Sequence, residues 1–586
     1  MKTASRSPFA DPVIYLEGGP GGSTLVNIPF QVETFAELRR YRDVILYDQR
    51  GTPFSSPLFC PTAIAEAEIP DDYAYPELPT SNDPEIQQLL VTALTLGSAV
   101  TATNCKSYFD QQGIDLSQYS TANSVLDLVA MMDAFDYESY NIYGISYGTN
   151  IALELFRYYE ANPDAALPPL RAAIIDGNVP PHVDTRGGQA YIVPNNILRV
   201  FSDCEAIPTC SAAFPDIRQR AVDLLAQVAD ESLVIGEETI ESDQLVTLMG
   251  NSLNYSLNEA GRVSGIGASY LPLMIDELER GILTTYIGLR DGILPPAPDD
   301  TTDEGGQGNL FGTIAEESSE LATTARNLAD GIEALQQESQ QVSDILESGL
   351  PLSVYFVREL RIGVNEMNYF TALLFPGLVD ALLAEEPQRE YLAAFASGIN
   401  PELAGVVALM SADDIEATYH LLAEVRPSLD SANSIATDII TCNDRYGSFD
   451  LETIFAGYRT YEAPSLVKKI DVAVNEKVRC ALWGLTDEST TLPPPVVTDL
   501  PILVANGSVD PATPEEWGVA AYESLTNAYF VTFAYFPHGA TTQFPVLGCG
   551  PDVATAFLLD PSHMPDIACA DDFQTLRYPF ALPVSP

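Results

Sequence analysis

Tyr140-Asn141-Ile142-Tyr143-Gly144-Ile145-Ser146-Tyr147-Gly148-Thr149-Asn150-Ile151-Ala152-Leu153-Glu154-Leu155-Phe156 is the stretch on which the fold turns. It opens with a short β-type run, passes through Gly-x-Ser-x-Gly, and continues as an amphipathic helix. A bare Gly-x-Ser-x-Gly is a frequent chance match. The strand before it and the helix after it supply the context of a nucleophile elbow. Gly144 and Gly148 leave room for strand and helix to approach, and the tight turn lifts the Ser146 hydroxyl above a sheet, beside a helix N-terminus. The plainer alternative is a strand-to-helix turn with an inert serine.

Outward from this turn the same rhythm repeats. Pro12–Leu16 and Asp43–Tyr47 are strand-like, and each runs into a polar or Gly-rich loop. Ser120–Phe135 places Val125, Leu128, Val129, Met132 and Phe135 at spacings of three and four, which predicts a helix. Arg171–Ile175 is another strand, ending at Asp176-Gly177. Alternation of this kind predicts an α/β fold, a mostly parallel sheet flanked by helices. The pattern stops after Pro181 and returns at Pro501–Ala505 and Tyr529–Tyr535. Three segments are therefore expected: residues 1–180 as the first part of an α/β core, 181–495 as a large, mainly helical cap inserted between the later strands, and 496–586 as the rest of the core. Within the insertion, Asp299–Gly308 reads as an acidic loop and Ile314–Leu346 as a long helix.

A serine nucleophile needs a base and a group that orients it. Of the four histidines, His182 lies in a Pro-rich segment, His420 in a helical stretch and His563 between two cysteines. His538 alone follows a C-terminal strand, in Pro537-His538-Gly539. In this fold the acid comes between serine and histidine in chain order. Asp510, after the strand Pro501–Ala505, fits that place; its plainer role is to cap a helix. Backbone N–H groups of Tyr147 and of Gly19, in Gly18-Gly19-Pro20-Gly21-Gly22, are the candidates for an oxyanion hole. The glycine run lacks the spacing and the following lysine of a phosphate loop.

Several of these motifs, in this order, resemble the prolyl iminopeptidase and tripeptidyl aminopeptidase group of α/β-hydrolases. They are Gly-Gly-Pro-Gly-Gly, then Asp48-Gln49-Arg50-Gly51-Thr52, then Gly-x-Ser-Tyr-Gly, then Asp510-Pro-Ala-Thr-Pro514 and His538-Gly539. Tyr119–Asn123 with Asp127, Cys480-Ala-Leu-Trp483 and the segment Cys549–Cys569 extend the resemblance toward the tripeptidyl aminopeptidase branch. It implies an enzyme that removes one residue or a short peptide from a free N-terminus through an acyl-enzyme, with acidic side chains near the cap binding the substrate ammonium. Glu366 and Asp444 are the candidates, and Glu17 is a third. Glu17 departs from the His or Asn that many relatives carry ahead of the glycine run. Pro53 breaks the relatives' Asp-Gln-Arg-Gly-Thr-Gly, and Arg50 reads as a structural partner of acids beneath the site. The relatives' two additional leading strands have no room here, so either an exposed sheet edge or an incomplete sequence is expected. An esterase or amidase of the same fold, acting on small esters or amides, is the alternative.

Composition narrows the partners. The 586 residues carry 82 acidic and 28 basic side chains, a formal charge of −54, and only five of the basic residues are lysine. Such a chain is repelled by phosphate backbones and anionic membranes. Nucleic acid is excluded as a partner, and no apolar run is long enough for membrane insertion. The charge balance also fits a protein that works in high salt, where repulsion is screened. Eight cysteines (Cys60, Cys105, Cys204, Cys210, Cys442, Cys480, Cys549 and Cys569) contain no C-x-x-C pair. With four histidines, they make a metal site a poor reading, and no cofactor is expected. An even set of cysteines points to disulfides and to a secreted, extracellular or periplasmic protein. Pairing neighbours gives 60–105, 204–210, 442–480 and 549–569, one of many connectivities the count allows. Met1–Ala10 is polar and not a signal peptide, so the expectation is a removed leader or a fragment. A small peptide or ester is the expected partner; oligomeric state is left open.

Overall fold

A computed structural model describes the chain except for residues 292–350, 366–378, 543–548 and 571–579 and a number of shorter stretches. Residues 1–297 and 431–586 form one compact unit, and residues 298–430 a second. Segments 181–297 and 431–495 of the expected insertion thus pack with the sheet. The acidic loop at 299–308, the helix expected at 314–346 and Glu366 lie outside the described residues.

The first unit is built on six parallel strands: β1 (Val13–Leu16), β2 (Val44–Tyr47), β3 (Tyr140–Ile145), β4 (Leu170–Asp176), β9 (Ile502–Gly507) and β10 (Ala528–Phe533), in the order β10-β9-β4-β3-β1-β2. Strands β5 to β8 form two small antiparallel hairpins, Leu233–Ile235 with Glu238–Ile240 and Tyr255–Leu257 with Val263–Ile266. They stand in a stretch whose sequence reads as helical, because strands this short carry too little alternation to register. The edge strand β2 exchanges backbone hydrogen bonds with Met1 through Val44.

Alternate residues of each strand feed two cores, as a sheet covered on both faces requires. Tyr15, Tyr143, Ile145, Ile174 and Leu503 face helices such as Ile192–Ala206 and Cys549–Leu559. Ile14, Ile142, Ile175 and Val504 face the helices Thr121–Phe135 and Tyr147–Ala161. Register then decides the site. Ile145, Asp176 and Ala505 lie side by side on β3, β4 and β9. β3 and β4 therefore end level and β9 ends two residues further on, at Gly507, so the residues that follow all three emerge on one edge of the sheet. This is the carboxyl edge, where ligands of open α/β sheets bind.

Four disulfides join Cys60–Cys105, Cys204–Cys210, Cys442–Cys480 and Cys549–Cys569, each pairing neighbours in sequence. The 60–105 and 442–480 bridges sit in a satellite core with Phe109 and Trp483. In the second unit, the helices Leu352–Asn365, Arg389–Ile399 and Pro401–Leu409 and the start of Ala412–Arg445 gather around Phe356, Leu392, Val406 and Leu422. Among the described residues no single helix is long and apolar enough to cross a membrane.

Candidate active site

Ser146 sits between β3 and the helix Tyr147–Ala161 with φ 54° and ψ −126°. A non-glycine residue held there costs on the order of 1–3 kcal/mol and persists only where its surroundings enforce it. The surroundings are plain. Ser146 N–H donates to the Asp176 carbonyl at 2.9 Å, and the Ser146 carbonyl accepts from both the N–H and the hydroxyl of Thr149. A Cβ on Gly148 would lie 2.0 Å from the Leu16 carbonyl oxygen, and one on Gly144 2.6 Å from the Gly148 oxygen. Only glycine allows strand, turn and helix to meet this closely. Ser146 keeps solvent access while its neighbours are buried.

The glycine loop after β1 curls over the serine. A side chain on Gly18 would place its Cβ 2.8 Å from Ser146 Cβ. Gly19 has φ +117° and is followed by a cis bond to Pro20. Gly18 N–H is taken by the Glu17 carboxylate at 2.9 Å. Tyr147 opens the helix after Ser146; an N–H in the first turn has no intrahelical acceptor.

Asp510 and His538 come from loops after β9 and β10. His538 Nδ1 lies 2.8 Å from Asp510 Oδ2. Asp510 is fully buried. Its Oδ1 accepts the N–H groups of Ala512 and Thr513, and its Oδ2 also accepts the Thr513 hydroxyl. Its local capping bonds therefore hold the 510–513 turn rather than the helix Glu515–Tyr522, whose N-cap is Pro514. Thr513 Oγ1 lies 3.0 Å from His538 Nδ1 as well. The residue after the histidine packs on the residue before the serine: a Cβ on Gly539 would lie 2.7 Å from Ile145 Cδ1. The His538 side chain remains 31% exposed although protein surrounds it closely. Burial opposes its charged form, but the charges of Asp510, Asp176 and Glu17 outweigh burial, and the imidazole titrates above the ordinary histidine value.

The three acids proposed for the substrate ammonium separate. Glu366 is outside the described residues. Asp444 accepts the N–H and the hydroxyl of Thr121, which caps the helix Thr121–Phe135, and Thr121 Oγ1 in turn meets the Tyr147 hydroxyl at 2.6 Å. Burial pushes the Asp444 carboxyl up to about 6 against those bonds. Glu17 accepts from Gly18 and Gln31 and lies close enough to His538 to interact electrostatically; burial raises its carboxyl too. Arg50 pairs through two nitrogens with Asp127 at 2.7 and 2.8 Å, a structural tie. His182 and His563 sit elsewhere in this unit, His563 exposed beside Asp560, and His420 is an exposed residue of the second unit.

Three contributors escaped the sequence reading: Asp176, Thr513 and Thr541. Asp176 is fully buried at the end of β4, and its carboxylate takes the N–H and hydroxyl of Thr541 at 2.6 Å each. An acidic residue directly after the apolar run Ala172–Ile175 was the available signal. Thr513 stood inside the Asp510–Pro514 motif without a role of its own, and Thr541 carries no signal. A cavity of about 740 Å³ also lies in this unit, lined by residues such as Glu77, Tyr446, Phe449 and Lys477, and includes neither Ser146, Asp510 nor His538.

This strand order, with a serine on a strained turn at the carboxyl edge, defines an α/β-hydrolase. A protein-family model described as alpha/beta hydrolase fold matches residues 11–212, which hold Ser146 and the glycine loop. A second, described as TAP-like protein, matches residues 469–569, which hold Asp510, His538 and the 549–569 disulfide. No curated protein matches the chain. The chain thus has the α/β-hydrolase fold, and its C-terminal part matches the TAP-like model.

Proposed function

We propose that the protein is a serine hydrolase that cleaves peptide bonds near a free N-terminus, in the manner of prolyl iminopeptidases or tripeptidyl aminopeptidases. The observation that carries this reading is the pairing of His538 with the buried Asp510, on a loop whose Gly539 packs on Ile145 beside the strained turn of Ser146. The TAP-like match supports the peptidase side of it.

In this mechanism His538 Nδ1–H donates a hydrogen bond to the Asp510 carboxylate, which fixes the tautomer and leaves Nε2 as the base. Nε2 takes the proton of Ser146 as Oγ bonds to the scissile carbonyl carbon. The N–H groups of Gly19 and Tyr147 hold the oxyanion. As the C–N bond breaks, the imidazolium returns that proton to the departing amine. Water then attacks the ester with His538 again as base, releasing the acid and restoring Ser146. Glu17 is the favoured anchor for the substrate ammonium because it borders the oxyanion loop and interacts with the His538 charge; like Asp444 it already accepts protein donors, Gly18 and Gln31, which the ammonium joins or displaces. The four disulfides support a secreted, extracellular or periplasmic setting for this chemistry.

Ser146→Ala should lower turnover of free-amine peptidyl arylamides by at least about a thousandfold with the fold intact by circular dichroism. Parental turnover in that variant refutes the nucleophile. Acetylating the substrate amine should abolish cleavage; if acetylated arylamides or nitrophenyl esters are cleaved as well, the enzyme is a general esterase or amidase.

A further inference from the structure

Asp176 ties the serine turn to the histidine loop. Its backbone carbonyl holds Ser146 N–H at 2.9 Å. Gly177, next in the chain, donates to the Ala505 carbonyl on β9, and its missing side chain admits Thr513 and His538: a Cβ there would lie 2.9 Å from Thr513 Oγ1 and 3.0 Å from His538 Cε1. The Asp176 carboxylate reaches the histidine loop itself. Oδ2 takes both donors of Thr541, three residues after His538, and the Tyr143 hydroxyl donates to the Thr541 carbonyl from beneath. Oδ1 is buried with no hydrogen-bond partner among the described residues.

A neutral amide at this place could accept both Thr541 bonds through its oxygen. A carboxylate with one bare oxygen in a dry interior is costly unless a cation shares the region. The charged and titratable groups around it are His538, Asp510 and Tyr143, with Glu17 acting on the same imidazole. Only His538 among these can become positive.

We propose that Asp176 is a positioning residue of the hydrolytic site, anchoring the histidine loop through Thr541 while its negative charge supports the imidazolium formed during acyl transfer. The proposal rests on the reading of Ser146, Asp510 and His538 as the catalytic set. In support, burial lifts the Asp176 carboxyl to about 6, opposed by the Thr541 bonds and the His538 charge. The carboxyl is therefore ionised where the imidazole, above its usual value, gives up its proton. Removing the charge lowers the imidazole's proton affinity.

The test is the pH profile of kcat/KM for Asp176→Asn beside Thr541→Val and Thr541→Ser, with Ser146→Ala as the control. Asp176→Asn should move the acid limb to lower pH by about one unit and lower kcat roughly tenfold. Thr541→Val should lower kcat about tenfold with KM unchanged, and Thr541→Ser should restore it. An acid limb at its parental position in folded Asp176→Asn overturns the proposal. If that variant does not fold, parental kcat in Thr541→Val overturns it instead. A Ser146→Ala protein that still turns over removes the underlying reading, while an inactive Ser146→Ala with a parental Asp176→Asn profile removes the role of Asp176 alone.

Discussion

Two buried carboxyls, Asp176 and Asp444, are both pushed up to about 6 by burial, yet their surroundings differ. Asp176 leaves an oxygen bare beside an imidazole, whereas Asp444 spends its oxygens on the first turn of a helix. Asp444 therefore serves as a structural cap with a pH signature. Its folded value lies above that of an ordinary aspartate, so the folded state binds more protons between about pH 4 and 6. The stability tied to Asp444 is full below that window and is lost as pH rises through it. Asp444→Asn keeps an acceptor for Thr121 and removes the ionisation. The stability difference should then move in favour of the variant from about pH 4 to pH 7, by at most about 3 kcal/mol. Chemical denaturation of both proteins across this range measures it, and a gap that does not change with pH would show that Asp444 does not titrate this way. At this scale Ser146, Asp510 and His538 were legible because each stands at a strand end in chain order. Asp176 was not, because its partner Thr541 is 365 residues away in sequence.

Among the elements, the elbow is the most constrained. Gly148 faces the Leu16 backbone oxygen, which cannot move without shifting β1 out of the sheet. Gly18 faces the Ser146 side chain instead. The two alanine variants should therefore fail differently. Gly148→Ala should lose roughly 3 kcal/mol or more of stability. Gly18→Ala should keep more of its Tm and lose at least about tenfold in kcat, because its new methyl displaces the Ser146 side chain, the proposed nucleophile. Thermal melts and steady-state rates on the pair read both quantities, and equal Tm losses with equal kcat would contradict the geometry. The strands and the helices beside the elbow were readable from periodicity. The role of the end of the helix Ala412–Arg445 was not: Thr437 bonds the Pro20 carbonyl of the glycine loop and Asp444 caps Thr121. Those contacts join segments that share no local pattern.

For the molecule as a whole, the charge of −54 dominates. Self-repulsion opposes the compact state, and salt shortens its range from about 10 Å at 0.1 M to about 3 Å at 1 M. Tm should therefore rise as sodium chloride goes from about 0.1 to about 1 M. Sucrose as a co-solute separates screening from general exclusion effects, and a flat or falling Tm in salt would refute electrostatic self-repulsion as a limit on stability. The disulfides act at the same scale: two of them, 60–105 and 442–480, staple the satellite core rather than the sheet.

What the amino-acid order settled by itself was whatever depends on neighbours along the chain: the parallel-sheet rhythm, the glycine-flanked serine, a histidine and an acid at later strand ends, and the charge. What required the tertiary structure was every partnership between distant segments. The register that aligns Ile145, Asp176 and Ala505, the clasp of Asp176 on Thr541 and the diversion of Asp444 to Thr121 all belong to that class. The reason is physical. Local periodicity reports which face of an element is buried, but a hydrogen bond between residues hundreds of positions apart leaves no periodic trace and exists only once packing has brought both ends together.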